Sequence, residues 1–333
     1  MAEIVNSRRS FIAGGALAGA ATFTVIPTAA AAPISTMANA GPPPLRAIPM
    51  PVQHPASEGI AHLPDADIAY WDTGGPGAAI VLLHPLTGSR KVWGHQQPVL
   101  AAAGHRVIGY SRRGYAGSSA GDPAKRGTAA EDLLGLLDHL GIKHFHAVGT
   151  AGGAFVAAAF AMRWPERLLS LTLACSVVRV ENPETSRLID GLDLKAFMAL
   201  PADLREIGPS YRALNPDGHA AWKALEAASR DGRPAFDQPP GVPVTAAGLA
   251  KLGVPTLLMA GDADLIAPPP VVRSLQALIP DAELALLTES GHSGYWERPD
   301  LFNAALLDFI RRHGKSRRSE SSWRWEAPQG SSK

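Results

Sequence analysis

The run Val148-Gly149-Thr150-Ala151-Gly152-Gly153 constrains the fold of this 333-residue chain more than any other stretch. It joins a strand-like segment, residues 144–149, to a small-residue helical segment, residues 153–164, which Pro165 ends. A turn this tight brings strand and helix backbones together. Side chains two before and two after its centre would then collide with their neighbours. Gly149 and Gly153 occupy those two positions. The central residue, Ala151, is expected in a strained conformation with its side chain raised above the sheet. The N–H of the next residue, Gly152, is expected to point into the same space.

The rest of the chain supplies a sheet for such a turn. Ala79–Leu83 is a continuous apolar run, as in a strand buried on both faces, and Arg106–Tyr110 is another. Residues 129–140 carry apolar side chains at 133, 134, 136, 137 and 140, an amphipathic helix stopped by Gly141. Leu168–Ala174, residues 254–260 and Glu283–Leu287 read as further strands. Strands alternating with helices predict an α/β fold, a mostly parallel, doubly wound sheet. Residues 177–250 break the alternation with helical segments at 184–200 and 219–229. They read as a small helical cap over the sheet's C-terminal edge, where open α/β sheets bind ligands.

Several features fall in a telling order. His84-Pro85-Leu86 follows one strand, and Ser111-Arg112-Arg113-Gly114-Tyr115-Ala116-Gly117-Ser118 follows the next. The glycine-flanked turn comes third. Gly261-Asp262-Ala263-Asp264 follows a late strand, and Ser290-Gly291-His292-Ser293-Gly294-Tyr295-Trp296-Glu297-Arg298-Pro299 comes last. Over residues 59–313 this order resembles the α/β-hydrolase fold family, with Ala116 at a usual glycine position and Ala151 where the family carries its nucleophile. The resemblance implies that His292 is a general base and that Asp264 orients it, with Asp262 as the alternative acid. It also implies an oxyanion hole from the backbone N–H groups of Leu86 and Gly152. No metal or organic cofactor is implied. His84, His95 and His146 lack metal-ligand spacing, and His84 reads as a support for its own loop.

A methyl group cannot attack a carbonyl. Removing the nucleophile from a serine mechanism costs about 10⁶ in kcat. Three readings follow. His292 activates a water or takes a substrate proton without a covalent step, which leaves hydrolase, lyase or cofactor-free chemistry open. Alternatively another nucleophile serves: Cys175 first, with Ser176, Ser111 and Thr150 nearby in the pattern. Or the domain binds a ligand without turning it over. The expected substrate is a small, mostly apolar ester, lactone or ketone. Phe197, Met198, Tyr211 and Trp222 of the cap are candidates to line its pocket or to form the cap's own core.

The ends of the chain read differently. Arg8-Arg9, the uncharged apolar residues 11–26 and small residues at 30–32 or 38–40 resemble a twin-arginine signal peptide over residues 1–40. The apolar run is shorter than the roughly 20 residues of a membrane span. This implies the twin-arginine export machinery as a partner and a periplasmic or secreted protein. The single cysteine permits no internal disulfide, which suits a route for folded cargo. Residues 41–56 read as a Pro-rich linker, 57–313 as the domain, and 314–333 as a disordered tail. With Lys+Arg at 31 and Asp+Glu at 30, no basic field exists to attract nucleic acid.

Overall fold

The computed structural model describes residues 43–313 apart from Arg179 and Glu181. The signal-peptide reading and the tail reading fall outside the described residues. Eight strands form one sheet: β1 (Ser57–Leu63), β2 (Ala66–Asp72), β3 (Ala79–Leu83), β4 (Arg106–Tyr110), β5 (Phe145–Thr150), β6 (Leu168–Ala174), β7 (Thr256–Gly261) and β8 (Glu283–Leu287). Their order is β1-β2-β4-β3-β5-β6-β7-β8. Only β2 runs against the others, pairing antiparallel with both β1 and β4. The β1–β2 hairpin is an element that the apolar runs did not predict. Its half-exposed edge strand alternates polar and apolar side chains too weakly to stand out.

Twelve helices accompany the sheet among the described residues: α1 (Gln97–Ala102), α2 (Ala129–His139), α3 (Gly152–Arg163), α4 (Pro183–Asp190), α5 (Lys195–Met198), α6 (Ala202–Glu206), α7 (Pro209–Leu214), α8 (Pro216–Ala227), α9 (Ala246–Leu249), α10 (Pro269–Gln276), α11 (Gly294–Glu297) and α12 (Pro299–His313). Successive strand side chains point to opposite faces, so β3 feeds two cores. Val81 and Leu83 pack on one face with α2, α3 and α10, and Ile80 and Leu82 pack on the other with α1 and α12. Burial on both faces is why these strands are continuous apolar runs.

The β4-β3-β5 order makes a switch point. The chain leaves β3 toward β4, then returns to β5 on the other side of β3. Loops after β3 and β5 therefore diverge and leave a crevice at the carboxyl edge. Helices α4 to α9 lie in sequence between β6 and β7. The expected helix over 184–200 is broken after Asp190, where Gly191 caps α4 and Asp193 has φ 42°. Residues 43–56 lack helix and strand, yet they are not free. His54 and Gln97 exchange two hydrogen bonds of 2.9 and 2.7 Å, and Arg298 donates to the Pro43 carbonyl at 2.9 Å. Residues 43–56 of the expected linker are thus hydrogen-bonded to the domain at both ends.

Candidate active site

The turn between β5 and α3 has the strain its glycines imply. Ala151 sits at φ 48°, ψ −115°, a region that L-residues avoid. A Cβ on Gly153 would lie 2.0 Å from the Leu83 carbonyl oxygen, and one on Gly149 would lie 2.6 Å from the Gly153 oxygen. Both contacts are with backbone, which cannot move aside. The N–H of Ala151 donates to the Ala174 carbonyl at 2.9 Å, which ties the turn to β6.

The histidine loop and the β7 loop meet. His292 Nδ1 bonds Asp264 Oδ2 at 2.8 Å, and both residues are buried, at 6% and 2% exposed. Asp264 Oδ1 accepts from the N–H groups of Ile266 and Ala267 at 2.8 and 2.9 Å. Asp262 is exposed and, among the described residues, accepts from the Ser290 N–H at 3.3 Å. The carboxylate beside His292 is therefore that of Asp264. With Nδ1–H given to Asp264, Nε2 carries the basic lone pair. Burial opposes the imidazolium, but the charge and hydrogen bond of Asp264, then the charges of Glu206 and Glu297, outweigh it. The pKa of His292 stands above the usual histidine value.

The loop after β3 is braced from below. His84 Nδ1 bonds the Pro85 carbonyl at 2.7 Å, and its Nε2 accepts from the Arg112 N–H at 3.0 Å. Burial, with Arg112 beside it, drives the His84 pKa well down, so the ring is a neutral strut. The Arg112 guanidinium bonds the carbonyls of His84 and Pro85 at 3.2 and 3.1 Å. Arg113 forms a buried fork with Asp132 of α2, at 2.7 and 2.6 Å. Tyr115 donates to the Leu86 carbonyl at 3.1 Å. The position of a Cβ on Gly152 would be 3.3 Å from the Leu86 backbone N. The two residues named for the oxyanion hole thus lie beside each other.

Two buried acids join the cap to these loops, and sequence reasoning gave neither a role. Glu206 of α6 accepts from the Thr87 hydroxyl at 2.8 Å, and its carbonyl accepts from the Ser293 N–H at 3.0 Å. It links the neighbour of Leu86 to the neighbour of His292. Burial raises its pKa, and the nearby His292 charge and the Thr87 bond pull it back down only in part. Glu297 accepts from the N–H groups of Gly208, Gly291 and Ser293 at 2.7, 3.1 and 3.2 Å. Burial still pushes it up to about 7. The only hint of Glu297 in the sequence was an acid inside an otherwise apolar helix turn. Glu206 gave none, because what it joins is distant in the chain.

Cys175 follows β6, fully buried at φ 47°. Burial pushes its thiol far up, and the Asp264 charge adds to this, so the nucleophilic thiolate is disfavoured. Ser176 Oγ donates to the Ala151 carbonyl at 3.1 Å. Of the expected pocket-lining residues, Tyr211 and Trp222 are buried in the core shared with Trp93, Tyr295 and Trp296, and Trp222 donates to the Tyr295 hydroxyl at 3.3 Å. Phe197 is half-buried and Met198 is 45% exposed. None of the four lines the cleft beside the site. That cleft, about 400 Å³, runs from Leu86 and Thr87 to Arg205, Glu226, Arg230 and Arg233. Three arginines and one glutamate make the lining of this cleft largely charged. Among the described residues no group of His, Cys, Asp and Glu is arranged to hold a metal ion.

Comparison with known proteins bears on this geometry. A family profile described as alpha/beta hydrolase fold matches residues 78–207. The chain is similar to a putative carbamate hydrolase, RutD, of Variovorax paradoxus: 31% identity over 261 residues, covering 73% of this chain and 96% of that one. It is also similar to a putative non-heme bromoperoxidase, BpoC, of Mycobacterium tuberculosis, at 28% identity over 264 residues, covering 73% and 97%. Among solved structures it is similar to a hydrolase from Pseudomonas aeruginosa, with TM-score 0.62 and 25% identity over 77% of this chain and 98% of that one.

Proposed function

Because this chain belongs to the α/β-hydrolase fold family and stands among its hydrolases, we propose that it cleaves a small carbonyl substrate, of ester, lactone or ketone type, by base catalysis without a covalent intermediate. The observation that carries the reading is the buried His292–Asp264 pair, 2.8 Å apart, in a site whose strained elbow presents only the methyl of Ala151. The methyl leaves room for a water where a serine hydroxyl would stand. Nε2 of His292 takes a proton from that water as its oxygen attacks the carbonyl carbon. The carbonyl oxygen becomes an oxyanion, held by the N–H groups of Leu86 and Gly152. Collapse of the tetrahedral anion breaks the bond to the leaving group, which receives the proton from His292. Asp264 keeps the imidazole in the required tautomer and stabilises the imidazolium.

The burial and raised pKa of Cys175 weigh against a thiol in the same role. The reading includes a place of action: Arg8-Arg9 and the apolar residues after them support export of the chain by the twin-arginine route, to act in the periplasm or outside the cell. Arg8→Lys with Arg9→Lys would then hold the protein in the cytoplasm, read by fractionation.

The test is a panel of small esters, lactones and enolisable ketones. Turnover that disappears in His292→Ala and persists in Cys175→Ala supports water activation. Loss in Cys175→Ala, with inhibition by thiol reagents, would overturn it in favour of the cysteine. Turnover of nothing, with ligand binding indifferent to His292→Ala, would reduce the domain to a binding protein.

A further inference from the structure

We propose that the cleft over the Leu86 loop is a carboxylate-binding subsite in which Arg205 and Arg230 hold an anionic group of the substrate. This rests on the hydrolytic reading of the same site and narrows its substrate to a small organic acid that also carries the scissile carbonyl.

Three arginines line the cleft, Arg205, Arg230 and Arg233, against one acid, Glu226. The three are not equivalent. Arg233 is committed to the fold: it donates to the carbonyls of Ser118 and Tyr115 at 2.6 and 2.8 Å and lies 3.4 Å from Asp231. Arg230 is held in place but not satisfied. Its Nη2 donates to the Tyr115 hydroxyl at 3.0 Å and to the Leu86 carbonyl at 3.4 Å, and its guanidinium lies 4.3 Å from the centre of the Tyr115 ring. Its Nη1 is shielded from solvent and has no acceptor, and the same holds for Nε of Arg205. Among the described residues no carboxylate forms an ion pair with either arginine.

Both residues line one cleft, and the chain offers neither guanidinium a carboxylate partner at ion-pair distance among the described residues, so an anionic group entering the cleft meets positive charge that the fold has not paired. The planar guanidinium fork matches a carboxylate, whose two oxygens accept side by side. Stacking on Tyr115 fixes the plane of Arg230 before any ligand arrives, which lowers the ordering cost of binding. The position supplies the link to chemistry. Leu86 is both a wall of this cleft and, in the hydrolytic reading, an oxyanion donor. A carboxylate on the arginines and a carbonyl at the Leu86 N–H would then belong to one short molecule, and a volume of about 400 Å³ suits it.

Binding separates this proposal from turnover. In a His292→Ala background, which prevents hydrolysis of the probe, monomethyl glutarate and dimethyl glutarate are titrated calorimetrically. The expected result is that the acid binds about tenfold or more tighter than the diester. Arg205→Gln and Arg230→Gln should each erase most of that preference, and Arg230→Lys should keep part of it. The Arg205 side chain makes no hydrogen bond among the described residues, so its variant reports even if loss of Arg230 loosens the Leu86 loop; melting curves check both. Equal binding of acid and diester, a preference that survives both Gln variants, or no binding of either probe would each overturn the subsite. Failure of the turnover panel with the binding preference intact would instead overturn the hydrolytic reading alone.

Discussion

Asp264 gives one carboxylate oxygen to His292 Nδ1 at 2.8 Å and reserves the other for the N–H groups of Ile266 and Ala267 at 2.8 and 2.9 Å. The two backbone donors fix which atom an amide would turn toward the histidine. In Asp264→Asn the amide oxygen stays on the backbone donors, so the NH₂ faces Nδ1. Nδ1 must then accept, the ring proton moves to Nε2, and the base is lost. We expect kcat to fall about 10⁴-fold with little change in melting temperature. A fall of less than tenfold in steady-state kinetics would deny Asp264 its orienting role.

The raised pKa of His292 sets a pH dependence. The base works only when deprotonated, so kcat/KM should climb with pH through an inflection above the usual histidine value. The group's contribution to stability has the opposite sign. It is full below the unfolded pKa and fades as pH rises through the folded one. Glu206→Gln removes one of the charges that hold the imidazolium and should move the inflection down. An NMR titration of the ring that shows no downward move would remove Glu206 from the electrostatics of the site.

Glu297 titrates near neutrality for a different reason. Burial lifts it to about 7 in the folded protein, so the fold binds a proton that the unfolded chain releases near the ordinary value of 4.5. Its contribution to stability is complete below that ordinary value and is lost as pH rises through about 7. Glu297→Gln should flatten this part of the stability curve measured by urea unfolding at a series of pH values. It should also lower overall stability by about 2 kcal/mol, because two oxygens that accept from three N–H groups become one. An unchanged slope would place the titration elsewhere.

Ala151→Ser adds a hydroxyl to a backbone that already holds φ 48°, so the strain is unchanged and stability should shift by less than about 0.5 kcal/mol. With His292 as base, the new hydroxyl should be acylated by p-nitrophenyl acetate in a rapid burst of about one equivalent. Absence of a burst, with the fold intact, would mean that His292 does not serve the elbow.

Gly153→Ala tests the elbow itself. Its Cβ would stand 2.0 Å from the Leu83 oxygen, so β3 and α3 must part. We expect a loss of about 3 kcal/mol or more. A melting temperature within a few degrees of the parent would show that the strand and helix are not locked together there.

Sequence alone determined the parts governed by local rules. Continuous apolar runs marked the strands β3 and β4, because burial on both sides leaves few polar positions. Gly149 and Gly153 fixed the elbow, because no other residue fits where backbones approach so closely. The order of loops drew Ala151, Asp264 and His292 into one hypothesis. What only the tertiary structure decided depends on residues far apart in the chain. It paired His292 with Asp264, ahead of the alternative Asp262, which it left at the surface, through a contact between loops 28 residues apart in the chain. It buried Cys175, and it turned Tyr211 and Trp222 into core. It brought Glu206, Thr87 and the cleft arginines together across the cap, where contacts span more than a hundred residues and follow no period.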